Sequence, residues 1–194
     1  MLPPLPELLE ECEALHGHLC PGQVLGARMA VLGCELVGLR DPRGADRKKL
    51  IVWVEIDRCM TDAIGAVTGV RLGRRSLKFF DYGKVAATFF NTETGRAVRI
   101  VALESSRQLA DERFSSIPVK KERQMLTYQG AADEELFHSH EVRVNFDEND
   151  RPGHPRVRVI CELCGEGVND GREVARDGKP LCRPCSSDSY YRDK

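Results

Sequence analysis

A chain of 194 residues, 41% hydrophobic and 30% charged, is long enough for one ordinary domain plus a small satellite and too apolar to be disordered. Lys and Arg number 29 against 30 Asp and Glu, a net charge of −1, so no global positive field exists to hold a polyanion and nucleic acid is a disfavoured partner. The longest uncharged stretch, 14–27, is too short to span a bilayer, and no basic segment precedes an apolar core at the N-terminus. Both features predict a cytoplasmic chain without a membrane partner.

Leu5, Leu8, Leu9, Cys12 and Leu15 recur at helical spacing, with Pro6 suited to a first turn and Gly17 to a stop. A second helix is expected over 23–37, apolar over much of its surface, with Gly22, Gly26 and Gly33 letting another backbone approach closely. The stretch 49–57 (KLIVWVEID) predicts the best strand, followed by a short helix over 61–68 closed by Gly69. Strands over 76–80 and 85–91 are expected to form a hairpin through the turn-like Asp81-Tyr82-Gly83-Lys84, and 96–103 to continue an antiparallel meander. Helices are expected over 105–114 and 119–137, then a strand over 141–146. The polar, proline- and glycine-bearing DENDRPGHP predicts a linker, so the expected organisation is a core domain over 1–146, a linker over 147–156 and a small module over 157–194. The fold class is α+β, an antiparallel sheet packed with long N-terminal helices.

Eight cysteines in a reducing compartment point to metal or redox chemistry rather than disulfides. Cys161-x2-Cys164 and Cys182-x2-Cys185, 17 residues apart, have the spacing of a four-thiolate zinc site in a zinc ribbon or treble clef. The residues between them read as a β-hairpin that brings the pairs together. So small a segment cannot bury enough apolar surface to fold alone, which makes the zinc structural. CELCGEGV and ARDGKPLCRPC resemble the zinc knuckles of the DksA/TraR type. The last 34 residues hold 6 Lys and Arg against 7 Asp and Glu, so charge does not favour DNA as the module's partner.

The segment HGHLCPG poses a different problem. Residues two apart in an extended segment share a side, so His16, His18 and Cys20 can converge on one ion. Pro21 suits the first helical position, which makes Cys20 an N-cap whose thiol is expected to be acidified by the helix amides. Cys59 follows the strongest strand and precedes a helix, where reactive groups are often presented. Together these residues would form a mixed nitrogen–sulfur site suited to zinc or iron, with a position open to ligand. Simpler roles exist for each: His16 at a helix C-terminus, Cys20 as a buried cap, Thr61 or Asp62 as a helix cap. Cys12 and Cys34 lie on apolar helix faces and read as core. Tyr82 and Lys84 are candidates for holding a polar or anionic ligand. The basic run Arg71, Arg74, Arg75 and Lys78 reads as a solvated surface. His138 and His140 could share a strand face but lack a partner set, and no phosphate-cradling glycine motif occurs.

HGHLCPG before an apolar helix, then EIDRCMTDAIGAVTG, then LKFFDYGKVAATFFNTETGRAVRI, resembles the FmdE family, named after a component of formylmethanofuran dehydrogenase. The resemblance implies an α+β core, an intertwined homodimer and a metal cluster at His16, His18, Cys20 and Cys59. It also implies a protein partner in a molybdenum or tungsten oxidoreductase system. It does not imply that this chain performs the named reaction, because only four cysteines remain beyond the terminal quartet and none forms a ferredoxin-like run. A metal carrier or assembly factor, and a regulatory zinc protein binding another macromolecule, are the competing classes.

Overall fold

Proline and glycine set the limits of the first helix. Pro6 stands in the first turn of α1 (Leu5–His16), and Gly17 closes it at φ 88°, its N–H donating to the Glu13 carbonyl. The structure is a computed structural model that describes residues 1–187 and 189–192. It contains two compact units, Met1–Val144 and Asn145–Lys194. No helix among the described residues is long and apolar enough to cross a membrane.

In the first unit, α2 (Pro21–Leu36) starts on Pro21 with extended Cys20 as its N-cap. It runs against α3 (Cys59–Thr68), which Gly69 ends at φ 73°. Contact between the two is close because Gly26 has no side chain: a Cβ there would stand 2.5 Å from the Met60 carbonyl oxygen and 2.8 Å from the Ala63 Cβ. Gly33 makes the same kind of room for the Phe89 ring.

The sheet comprises β1 (Leu50–Val54), β2 (Leu77–Phe79), β3 (Ala86–Asn91), β4 (Ala97–Ala102) and β5 (Phe137–Glu141), in the order β2-β1-β3-β4-β5. It is antiparallel apart from one pair. The expected β2–β3 hairpin is not formed: β2 pairs in parallel with β1, Val52 opposite Leu77, and β3 lies on the other side of β1 with Val52 opposite Phe89. Helix α3 returns the chain along the sheet, and a strand entering after such a crossover runs parallel. Residues 81–84 therefore form no hairpin turn. They pass over the end of β1, where the N–H groups of Tyr82 and Lys84 donate to the Glu55 carbonyl.

Helices α4 (Ser105–Arg113), α5 (Lys120–Gly130) and α6 (Asp133–Leu136) follow β4. The single helix expected over 119–137 breaks after Gly130, and the last strand starts at buried Phe137 rather than at Glu141. Arg28 of α2 fixes this corner, donating to the carbonyls of Tyr128 and Ala131 and to Asp133 Oδ1 at 2.6 Å. Leu8, Val24, Met29, Met60 and Ile64 form the core with Val52, Val54, Phe89 and Ile100 from one sheet face. Alternate positions Ile51, Trp53, Phe90 and Arg99 take the other face, where Arg99 grips Glu55 with two bonds of 2.7 Å.

The second unit is built from two small hairpins, β6 (Arg158–Ile160) with β7 (Gly167–Asn169) and β8 (Val174–Arg176) with β9 (Lys179–Leu181). Asp177 and Gly178, at φ 52° and 76°, make the two-residue turn of the second, a position pair that favours Asp-Gly. Within the stretch expected as linker, Glu148–Asp150 forms a 3₁₀ turn, Asp150 pairs with Arg172, and Arg151 meets Glu148 at 2.8 Å.

Candidate metal centres

The two cysteine pairs of the second unit sit on tight turns after β6 and β9. Gly165, at φ 77°, bends the first, and its N–H donates to the Cys161 carbonyl at 2.9 Å. One ligand atom from each of Cys161, Cys164, Cys182 and Cys185 lies within 4.8 Å of the others, and the Cys164 and Cys182 sulfurs are 3.8 Å apart. Four thiolates around a tetrahedral zinc with bonds of about 2.3 Å stand about 3.8 Å apart along each edge, so the donor set fits that ion. The electrostatics agree. Backbone N–H groups, those of Cys164 and Cys182 foremost, push the Cys161 thiol down to about 6. Its neighbours compensate: the adjoining Cys182 sulfur and burial push Cys185 up. Four thiols in this space must share protons, and a dication removes that conflict. All four positions being protein sulfur, the site is closed and structural.

In the first unit, the end of α1, the extended turn and the starts of α2 and α3 bring a second group together. His16, His18 and Cys20 each place a ligand atom within 4.8 Å of the other two, and the imidazole centroids are 4.9 Å apart. His16 Nδ1 meets Asp62 Oδ2 at 2.8 Å, leaving its other ring nitrogen as the donor to a cation. A carboxylate behind a ligating histidine fixes its tautomer and raises its basicity, an arrangement typical of metal sites. Asp62 is therefore neither a helix cap nor a bystander. Helix α3 begins two residues earlier than expected, and Thr61 donates instead to the Ile56 carbonyl at 2.5 Å.

Cys59 stands at the first position of α3, beside Cys20. The point where a Gly22 Cβ would lie is 3.4 Å from the Cys59 Cβ and 3.8 Å from the Cys20 sulfur. Burial, then the Cys20 thiol alongside, hold the Cys59 thiol above its ordinary range, as expected where a second anion beside a first is disfavoured until a cation joins them. Cys20 caps α2 by backbone geometry only. Its side chain makes no capping hydrogen bond, so the expected contact with the helix amides is not made. Two imidazoles and one or two thiols suit zinc or iron, and neither needs more than a modest contraction of the observed group. Cys12 and Cys34 are buried in the core, where burial raises their thiols to about 11 and about 12.

A cavity of about 460 Å³ opens beside Cys20 and Cys59, floored by apolar residues and edged by Arg58, Arg107, Lys120 and Gln124. Tyr82 and Lys84 are not part of its lining. Tyr82 belongs to another cavity, with Trp53, Glu55 and Arg99, and Lys84 is exposed. The residues that do line the first cavity on α4 and α5 carry no local motif; only Arg58 is adjacent in sequence to a cysteine. His138 and His140 do share a face of β5, with ring centroids 5.4 Å apart.

Residues 15–142 match the family described as FmdE, Molybdenum formylmethanofuran dehydrogenase operon, and residues 155–191 match the prokaryotic dksA/traR C4-type zinc finger. The chain is 34% identical over 203 residues to a probable S-adenosyl-L-methionine-binding protein of Archaeoglobus fulgidus, covering 96% of this chain and 54% of that protein. It thus spans about half the length of that curated relative. A crystal structure of a tungsten formylmethanofuran dehydrogenase (FmdE)-like protein from Syntrophus aciditrophicus shares the fold, with a TM-score of 0.61, 22% identity, and coverage of 96% of this chain and 94% of that one. The matched family segment takes in the helices, the whole five-stranded sheet and all four residues around Cys20, and the chain belongs to the FmdE family.

Proposed function

We propose that the core unit holds a transition metal, zinc or iron, through His16, His18, Cys20 and Cys59, and uses it for metal-assisted chemistry. The setting is a cytoplasmic molybdenum- or tungsten-dependent oxidoreductase system, in which the chain is an accessory rather than the carrier of the redox cofactors. The observation behind this reading is the convergence of His16, His18 and Cys20 with a carboxylate behind His16. The family description and the structural neighbour's name support the setting.

An ion bound there would supply Lewis acidity toward a ligand oxygen. The chain's own residues supply the rest. Asp62 holds the His16 ring, the starts of α2 and α3 keep the two thiols adjacent, and the neighbouring cavity gives an organic ligand room out of bulk water. The protein acts as a homodimer in this reading. Support comes from β2, an edge strand running into exposed Phe79, Phe80 and Tyr82, an apolar border of the kind that edge strands bury on association.

Exposure of His18 favours a second reading, a carrier that passes its metal on. Elemental analysis of the full chain tests both. Two ions per chain are expected in the parent and one in Cys59→Ser, with the terminal zinc retained; a parent holding only the terminal ion refutes the core centre. Transfer of the core ion to a competing chelator within seconds would favour the carrier, and retention over hours the catalytic centre.

A further inference from the structure

The cavity beside Cys20 and Cys59 has a charge pattern that the metal reading does not use. Three cationic side chains border it, Arg58, Arg107 and Lys120, against one carboxylate, Glu104. Arg107 reaches Glu104 at 3.3 Å. Arg58 and Lys120 have no ion-pair partner among the described residues. The backbone adds to the same sign. Helices α2, α3, α4 and α5, of 16, 10, 9 and 11 residues, all contribute residues of their first turn to the lining, so four positive helix ends face one space. Leu25, Ile56, Val85 and Leu103 line the remainder and are apolar.

From this we infer that the cavity binds a small amphiphilic anion, an organic carboxylate or phosphate ester whose charged end lies among Arg58, Lys120 and Arg107 and whose short apolar body rests on the floor beside the thiols. A bare inorganic ion would leave the apolar floor wet, and an uncharged organic molecule would leave the cations unmatched. A volume of about 460 Å³ is in the range of small-molecule sites, about 300–1,000 Å³. The inference deepens the proposed metal centre by naming the class of ligand that would meet it, and rests on that reading for the statement that this anion is the reacting species. Anion binding itself requires only the cavity.

Calorimetric titration of the full-length, metal-loaded protein tests it, with pentanoate and butyl phosphate as probes and pentanamide as the uncharged control. Either anion should bind and pentanamide should not; which of the two binds more tightly identifies the head group. Affinity should fall about tenfold in Arg58→Gln and further in Arg58→Gln/Lys120→Gln, both at exposed positions, and should weaken as salt is raised. Arg71→Gln/Arg74→Gln, which lie outside this cavity, should leave it unchanged. Failure of both anions to bind, equal binding of pentanamide, or indifference to Arg58→Gln/Lys120→Gln each overturns the anion site. Metal content of the same samples separates the two claims. Arg58-dependent binding in protein without a core ion sinks the metal centre alone, whereas a full core site with charge-indifferent binding sinks the anion site alone.

Discussion

The two sulfur clusters of this chain stand in opposite relations to the folds around them. In the terminal unit four sulfurs crowd together with hardly any core: its hairpins have three-residue strands, and Ile160, Leu163 and Val174 are exposed. There the ion would create the fold. In the first unit a packed core of helices α1–α3 on a five-stranded sheet already holds His16, His18, Cys20 and Cys59 at the ends of its elements. There the fold creates the site, which can leave a position open because it does not need every bond the metal can make. A closed site is for stability and an open one for chemistry.

Stripping the metals should break this symmetry most visibly. A strong chelator is expected to abolish amide protection over 158–187 while the helices of the core unit stay protected, because apparent zinc binding energies of about 10–16 kcal/mol in such modules are folding energy. Hydrogen exchange followed by mass spectrometry reads both units in one sample. Persistent protection of β6 to β9 without metal would mean that the terminal unit folds on packing alone.

The converse perturbation is Gly26→Ala. Its Cβ would meet a backbone carbonyl at 2.5 Å, so α2 and α3 must separate, at a cost of about 1–3 kcal/mol in urea unfolding of the core. Since the starts of these two helices present Cys20 and Cys59, occupancy of the core ion should fall as well, with the terminal zinc untouched. A smaller, more local effect is expected from Asp62→Asn: about 10–100-fold weaker core-metal affinity without loss of helix content, measured by competition with a chromogenic chelator. Unaltered affinity would reduce the His16–Asp62 contact to a surface ion pair.

How much of this was legible in the residues follows from whether the signal was local. Helix limits were, because Pro6, Gly17 and Gly69 act on their own turns, and the terminal quartet was, because C-x2-C fixes a knuckle by itself. The parallel pairing of β2 with β1 was not. Asp81-Tyr82-Gly83-Lys84 has hairpin composition, but β1 is buried on both sides and takes partners on both edges, a tertiary preference no short window records. His16, His18 and Cys20 could be grouped from their alternation. The role of Asp62 could not, since it depends on α3 starting at Cys59 and on α1 lying against α3, 46 residues apart in sequence. Tyr82 and Lys84 were attractive as polar groups near a motif, yet the crossover over the end of β1 carries Tyr82 into a different cavity. The cations that do edge the Cys20 cavity come from loops and helix starts spread over 58–120.

The smallest expected effect concerns the two remaining thiols, which mark the difference between a cysteine that fills space and one that binds. Burial raises Cys12 to about 11 and Cys34 to about 12, from 9.0 in the unfolded chain. Below pH 9 both are protonated whether the chain is folded or not, so they add no pH dependence at neutrality. As pH rises from about 9 toward 12 the unfolded thiols ionise first, unfolding becomes linked to proton release, and core stability should decline over that window. At pH 8 in chelator, iodoacetamide should label all four terminal cysteines while Cys12 and Cys34 stay unmodified until urea unfolds the core. Labelling of Cys34 at the rate of Cys164 would show that the helices around it open as readily as the metal-free tail, and the contrast between a fold that makes its site and a site that makes its fold would no longer hold.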